Sequence, residues 1–199
     1  MKERPILFSG EMVKAIIAWQ KTQTRRLRGL NKINSNPDIH AKACQDGGGN
    51  WVFWYPDRPG LEEATKKLYP NGEGIPCPYG KVGDRLWVRE TFCDNGGGEY
   101  EYKATSYSHA GSWSPSIHMP RRASRITLEV VSVRAERLQE ITEEDAQSEG
   151  VKPLLPVADE RYRPAFRNLW DQINGENSPW DLNPWVWVIG FKPVFMAIG

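Results

Sequence analysis

The stretch EMVKAIIAWQKTQTRR, residues 11–26, is the one around which the rest of this chain is organised. Its first part has the apolar spacing of an amphipathic helix. Its last part, Lys21 to Arg26, combines an amine, hydroxyls and guanidinium groups. A helix that ends in such a turn can anchor a core with one face and present reactive groups at its end.

We expect this helix to continue close to Thr24. Lys21 and Thr24 would then share a face, because they are three residues apart. A Lys amine beside a Thr hydroxyl can activate that hydroxyl as a nucleophile. The alternative is a solvated basic helix end, where the helix dipole favours Lys and Arg. The pattern alone favours this second interpretation.

The composition is that of an ordinary globular protein. The chain has 199 residues, of which 39% are hydrophobic and 26% charged, so we expect a single domain over residues 1–199. Three cysteines do not make a disulfide framework in a chain of this length. We find neither a signal peptide nor an apolar run long enough to span a bilayer, and predict a cytoplasmic protein with no membrane partner.

The net charge of +1 produces no global attraction for nucleic acid, but the charges are clustered. One basic cluster is Lys21, Arg25, Arg26 and Arg28, and another is Arg121, Arg122 and Arg125. Acidic residues are concentrated between 136 and 149. This distribution predicts either a bipolar molecule with a local basic cleft or solvated faces of mixed sign.

Apolar, β-branched and aromatic runs predict several strands. These runs cover residues 5–8, 51–55, 86–92, 125–138 and 185–191, and the doubled Val130-Val131 predicts a β-bulge. Residues 29–80 are rich in glycine, proline and aromatic residues, which indicates an inserted segment of turns and short elements, with a short helix near 61–68.

Two further helices are predicted towards the C-terminus. One begins at Thr142 as N-cap, with Asp145 as the reciprocal acid, and ends at Glu149 before Gly150. The other follows an apolar stripe over residues 166–173. Without regular alternation of strands and helices, this order favours an α+β fold built on a small barrel.

The sequence lacks the motifs of several common classes of functional site. The chain has no dinucleotide-binding glycine pattern, no phosphate-binding loop and no nucleophile elbow. His40, Cys44 and Cys77 could form part of a zinc site, but they lack the usual paired-cysteine spacing. We therefore predict no metal and no cofactor.

Two polar residues outside the basic clusters are candidates. Glu90 follows a strong strand, where it either pairs with an arginine such as Arg125 or performs acid–base chemistry. His118, just before Pro120 and Arg121, either lines a pocket or is solvated.

Four blocks of the sequence resemble the ASCH family. They are Lys21–Arg26, Gly83–Val88, the helix carrying Thr142, Ala146 and Glu149, and Val188–Lys192. The family signature Gly-x-Lys-x-x-Thr-x-Arg is matched at Lys21, Thr24 and Arg26, whereas Trp19 stands at the glycine position. The resemblance covers residues 1–28 and much of 81–192, and it extends to ASCH-type proteins of tailed phages and prophages.

The resemblance implies a PUA-like small β-barrel with flanking helices, and a role with RNA or modified nucleosides. Members similar to this chain remove the acetyl group from N4-acetylcytidine with a Lys, a Thr and a Glu. Carried over by motif, Thr24 would attack the amide carbonyl, Lys21 would take its proton and Glu149 would protonate the leaving amine. The alternative for Glu149 is a helix-end carboxylate neutralised by Lys21 or an arginine.

Two other functions remain open. In a non-catalytic module that binds RNA, DNA or a modified nucleoside, aromatic residues of the inserted segment would stack on a base. Its phosphate contacts would come from Arg25, Arg26, Arg121, Arg122 and Arg125. Some members of the family are also described as ribonucleases.

Overall fold

A five-stranded mixed sheet is the centre of the computed structural model, which describes residues 1–35, 42–45, 51–54, 75–106, 111–154 and 161–196. In spatial order the strands are β1 (Glu3–Leu7), β5 (Arg85–Arg89), β8 (Ile126–Arg137), β9 (Trp185–Met196) and β2 (Gln23–Arg26). The β1–β5 pair is parallel and the other pairs are antiparallel.

The remaining elements surround this sheet. Two hairpins are formed by β3 (Lys42–Gln45) with β4 (Trp51–Trp54), and by β6 (Phe92–Asp94) with β7 (Tyr100–Tyr102). The helices are α1 (Gly10–Ile17), α2 (Asn31–Asn34), α3 (Glu143–Ser148) and α4 (Tyr162–Asn174). The predicted α+β class is confirmed. None of the described helices is both long and apolar enough to cross a bilayer.

Strand β9 joins two hydrophobic clusters, because successive side chains of a strand point to opposite faces. Trp187 and Ile189 belong to the cluster that includes α1 and β1. Val186 and Val188 belong to the cluster beneath α3 and α4. The prediction of a central apolar strand is confirmed, and its pairing with β8 continues to Met196.

The predicted bulge is present in β8. The register between β8 and β9 shifts between Val130 and Ser132. Val130 is fully buried, whereas Val131 is 43% exposed. The extra residue therefore changes which face of β8 meets the core.

Strand pairing does not close a barrel in the described part of the chain, where β1 and β2 are the two edges of the sheet. The edges nevertheless approach each other, because the Arg26 side chain on β2 donates a hydrogen bond of 2.6 Å to Leu7 O on β1.

The aromatic run of the inserted segment is attached to the sheet. Trp51 forms an isolated bridge with Ile75, and its ring meets Trp187 edge-on at 6.5 Å. The strand predicted over residues 51–55 is confirmed for Trp51–Trp54. The helix predicted near residues 61–68 lies outside the described residues.

The predicted end of the first helix is wrong. α1 ends at Ile17, Trp19 takes a left-handed conformation with φ of 60°, and the next residues turn into β2. The N–H groups of Gln20 and Lys21 both donate to Ala15 O, at 2.8 and 3.0 Å, and close the turn. Thr24 is extended because it pairs with β9, so Lys21 and Thr24 share no helix face.

Candidate functional site

Lys21 is fully buried where the chain enters β2. Its Nζ donates to Glu149 Oε2 at 2.9 Å, to Glu149 O at 2.7 Å and to Gln23 O at 2.8 Å. The backbones of Lys21 and Glu149 also form an isolated antiparallel bridge. The Phe8 ring lies 5.6 Å from the same nitrogen. The end of α3 is thereby joined to the start of β2.

The environment lowers the pKa of Lys21. Burial is the main cause, and the charges of Arg26 and Arg25 act in the same direction, while Glu149 opposes them. Three acceptors around one Nζ match the three donors of the protonated amine. To act as a base, Lys21 must give up one of these contacts.

Glu149 is shared between two cations. Besides the contact to Lys21, its Oε1 accepts a hydrogen bond of 3.2 Å from Arg25 Nη1. Glu149 is 3% exposed and is the C-cap of α3. The neutralisation that the sequence offered as the alternative is therefore present. The same two contacts fix the position of the Glu149 carboxylate.

Arg25 continues this contact set into a larger network. Its Nη2 contacts Glu136 on β8 and lies 2.9 Å from Asp145 Oδ2 on α3. Arg134 donates to both acids, at 2.7 Å to Glu136 and at 2.8 Å to Asp145. Opposite charges meet in this network, so the predicted segregation of a bipolar molecule is wrong for these residues.

Asp145 has a different role from the one predicted. Thr142 Oγ1 does cap its N–H at 3.1 Å, but the Asp145 carboxylate binds Gln23, Arg25 and Arg134 instead of the cap backbone. Burial raises the pKa of Asp145, but the hydrogen bond from Gln23 and the two arginine charges outweigh burial, and the net shift is downward.

Thr24 is buried on β2 and is 3% exposed. It pairs with Ile189, while its neighbour Arg25 pairs with Val188. Because side chains alternate along a strand, Thr24 and Arg25 point to opposite faces. Among the described residues, Lys21 makes its three hydrogen bonds to acceptors other than the Thr24 hydroxyl. Of the three carried-over residues, Lys21 and Glu149 are in direct contact, and Thr24 follows Lys21 by three residues on β2.

Arg26 lies in the gap between the two sheet edges. It binds Leu7 O, and its guanidinium lies 5.1 Å from the centre of the Phe8 ring. Its Nε is buried without a hydrogen-bond partner among the residues that the structure describes. Burial lowers the pKa of Arg26. A buried donor without an acceptor is a position where a ligand oxygen can bind.

Glu90 and Arg125 form a separate buried pair. Both contacts of this bidentate ion pair are 3.0 Å long, and Arg125 also donates to Thr105 at 3.0 Å. The Arg125 guanidinium lies 4.0 Å from the centre of the Tyr102 ring. Of the two roles predicted for Glu90, the structure therefore shows the ion pair with Arg125.

The other predicted binding residues lie at the surface. Arg121 pairs with Glu3 at 3.0 Å, and Arg122 donates to the Tyr100 hydroxyl at 3.0 Å. His118 is exposed at the end of a short 3-10 helix. Among the described residues, none of these side chains is hydrogen-bonded to the Lys21 network.

No group of three or more metal-ligating side chains occurs among the residues that the structure describes. Cys77, one of the zinc candidates, is half-buried, and burial raises the pKa of its thiol to about 11. The side chains of His40 and Cys44 lie outside the described residues.

Sequence reasoning missed three members of the network, namely Gln23, Arg134 and Glu136. Gln23 and Arg25 are two apart on a strand and so share a face, but a strand prediction at residues 23–26 was needed to see this. Arg134 and Glu136 lie near Gln23 and Arg25 because β8 and β2 both pair with β9.

Comparison with known proteins finds no matching family model and no matching curated protein. Among solved structures, an ASCH domain from Lactobacillus crispatus JV V101 has 13% identity and a TM-score of 0.43, covering 98% of this chain and 80% of that one. A protein of Enterococcus faecalis V583 described by the family model DUF984 has 9% identity and a TM-score of 0.42, covering 100% of this chain and 84% of that one.

Proposed function

We propose that this chain is an ASCH-type, PUA-like protein that acts on nucleic acid or a modified nucleoside, and that it hydrolyses the amide of an N4-acylated cytosine. The observation that carries the proposal is the buried contact between Lys21, three residues before Thr24 in the chain, and Glu149. Residues from two distant sequence blocks meet there. Buried ionisable groups with shifted pKa values are concentrated at functional sites.

The approach of the sheet edges supports a PUA-like barrel that is open on one side. Arg26 bridges the gap to Leu7, and Phe8 lies beside Arg26 and Lys21. In this arrangement the unpartnered Arg26 Nε donates to an oxygen of the ligand.

The proposed reaction has two steps. Thr24 Oγ1 attacks the acyl carbon and forms a C–O bond, while its proton passes to the neutral amine of Lys21. The C–N bond breaks, and the cytosine amine leaves with a proton delivered through Glu149. Water then hydrolyses the acyl-threonine ester and restores the hydroxyl. Burial favours the neutral amine, because it lowers the pKa of Lys21.

The test is to incubate the pure protein with N4-acetylcytidine and to follow cytidine by chromatography. We expect turnover by the unmodified protein and a loss of about 100-fold or more in Lys21→Ala, Thr24→Ala and Glu149→Gln. Thr24→Ser keeps the hydroxyl and should retain part of the activity. Lys192→Ala is the matched control, because Lys192 is an exposed lysine on β9 that pairs with Glu129. Full activity of the Thr24→Ala variant would exclude Thr24 as the nucleophile.

A non-catalytic binding module is the second candidate. The observation in its favour is that Lys21 and Glu149 already have ion-pair partners, which suits a structural role. It predicts no turnover, together with binding of single-stranded RNA or DNA that weakens steeply between 50 and 200 mM salt. A gel of the same labelled RNA, with and without divalent metal, tests the ribonuclease alternative. That alternative requires metal-dependent shortening that Lys21→Ala abolishes.

A further inference from the structure

Trp19 combines a costly backbone conformation with an exposed ring. Its φ is 60°, in the left-handed region that helix C-termini usually give to glycine or asparagine. The residue is 61% exposed. Within the described part of the chain, its ring makes no stacking or cation–π contact. Packing therefore gives no reason for a bulky aromatic residue here, and such outliers point to function.

Trp19 borders a cavity of about 500 Å³. One wall carries amide and hydroxyl side chains, from Gln20, Thr22, Gln147 and Ser148. The Thr22 N–H donates to Ser148 O at 2.9 Å and joins the two segments of this wall. Amides and hydroxyls both donate and accept hydrogen bonds, as the edges of nucleobases do.

The lining also includes residues 150–153, which add a cation, Lys152. A flat ring for stacking, polar groups for a base edge and an amine for a phosphate are the three components of a single-strand binding site. A purely apolar ligand would leave these polar groups without partners.

The cavity is lined by chain neighbours of both members of the buried pair, Lys21 and Glu149. Trp19 and Thr22 flank Lys21 in the chain, and both line the cavity. Gly150 also lines it, and a Cβ on Gly150 would approach Lys21 Cβ to 2.8 Å. Gly150 therefore borders the cavity and also lies against the Lys21 side chain.

We propose that Trp19 stacks a base of single-stranded nucleic acid next to the nucleotide held at Lys21, so that the substrate is a strand and not a free nucleoside. This inference rests on the proposed nucleic-acid-directed function and specifies its substrate class. It also places a stacking residue outside the aromatic run at 51–55.

The test compares Trp19→Gly with Trp19→Phe. Trp19→Gly removes the ring and suits a φ of 60°, so the variant should fold. The probes are fluorescein-labelled six-nucleotide RNA and DNA, measured by fluorescence anisotropy. We expect the Kd of the preferred strand to rise by about tenfold or more in Trp19→Gly and to change little in Trp19→Phe. Leu182→Ala is the control, because Leu182 is exposed to a similar degree, 66%, outside the cavity.

An unchanged Kd in Trp19→Gly would overturn the inference, as would failure of the unmodified protein to bind either strand. Turnover separates this failure from failure of the proposed activity. If N4-acetylcytidine is hydrolysed both free and within the six-nucleotide strand, Trp19→Gly should lower the ratio of kcat/KM for strand over nucleoside. If neither substrate is hydrolysed, the amidohydrolase is excluded, and the binding comparison alone decides the role of Trp19.

Discussion

At the scale of single residues, Lys21 shows how a charge is kept in the interior. Removing an ammonium from water costs several kcal/mol, and that penalty is offset only when good acceptors surround it. Here a carboxylate and two backbone carbonyls do so. The acceptors are specific to the protonated form. Any catalytic cycle that uses neutral Lys21 must therefore rearrange this contact set.

Replacing Lys21 by methionine should destabilise the protein strongly. Lys21→Met leaves buried Glu149 with Arg25 as its described cationic partner, and breaking a buried pair costs about 3–5 kcal/mol. Lys14→Met breaks the exposed contact to Glu11 and should cost less than about 1 kcal/mol. Urea denaturation of both variants measures the difference. Equal losses would mean that burial adds nothing to the Lys21 pair.

Trp19 gives a second prediction at this scale. Trp19→Gly should be more stable than Trp19→Ala by about 1 kcal/mol, because alanine keeps the left-handed strain and glycine does not. Both variants lose the same exposed ring, so the loss of ring contacts contributes equally to the free energy of unfolding of each. Thermal unfolding gives the two values, and a more stable alanine variant would contradict the conformational argument.

At the scale of elements, three short connections build the site. The turn after α1 points the chain into β2, the end of α3 brings Glu149 to Lys21, and the bulge in β8 resets its inward face. The N-cap Thr142 was predictable, because its side chain acts within three residues. The end of α1 was not predictable from the sequence. Tryptophan seldom takes a left-handed conformation, and the pairing of β2 with β9 decides where the helix ends.

Substitution of Gly150 tests how tightly the end of α3 packs against the start of β2. The φ of Gly150 is 77°, and an added Cβ would lie 2.8 Å from Lys21 Cβ and 2.9 Å from Ala15 Cβ. Gly97 also has a positive φ, 64°, but an added Cβ there meets nothing within 4 Å. Gly150→Ala should therefore cost at least about 1 kcal/mol more than Gly97→Ala, because overpacking adds to the shared backbone strain. Comparable losses in urea denaturation would mean that the neighbours of Gly150 relax freely.

At the scale of the whole molecule, contacts distant in sequence hold the sheet together. Asp84, at the start of β5, accepts hydrogen bonds from Lys2 N and Arg4 Nη1, both at 2.7 Å. Burial alone would raise the pKa of Asp84. These bonds and the one from Lys81 N outweigh it, and the pKa falls from 3.8 to about 2.

Acid should therefore destabilise the fold by protonating Asp84. Because the folded pKa lies below the ordinary value, the stabilisation is complete above pH 3.8 and is lost as the pH falls towards about 2. The free energy of unfolding of the unmodified protein should drop more steeply across this window than that of Asp84→Asn. Urea denaturation at several pH values measures both slopes, and parallel curves would contradict the assignment.

The sequence by itself determined the local features: the central strand at 185–191, the bulge at Val130-Val131, the N-cap at Thr142 and the α+β class. These depend on side-chain periodicity and on groups a few residues apart, which a chain carries wherever it folds. Only the tertiary structure decided that Lys21, Arg25, Glu136 and Glu149 share one buried network, because β2 and β8 meet across β9. Such a network depends on contacts more than 100 residues apart. No periodicity in the sequence encodes those distances.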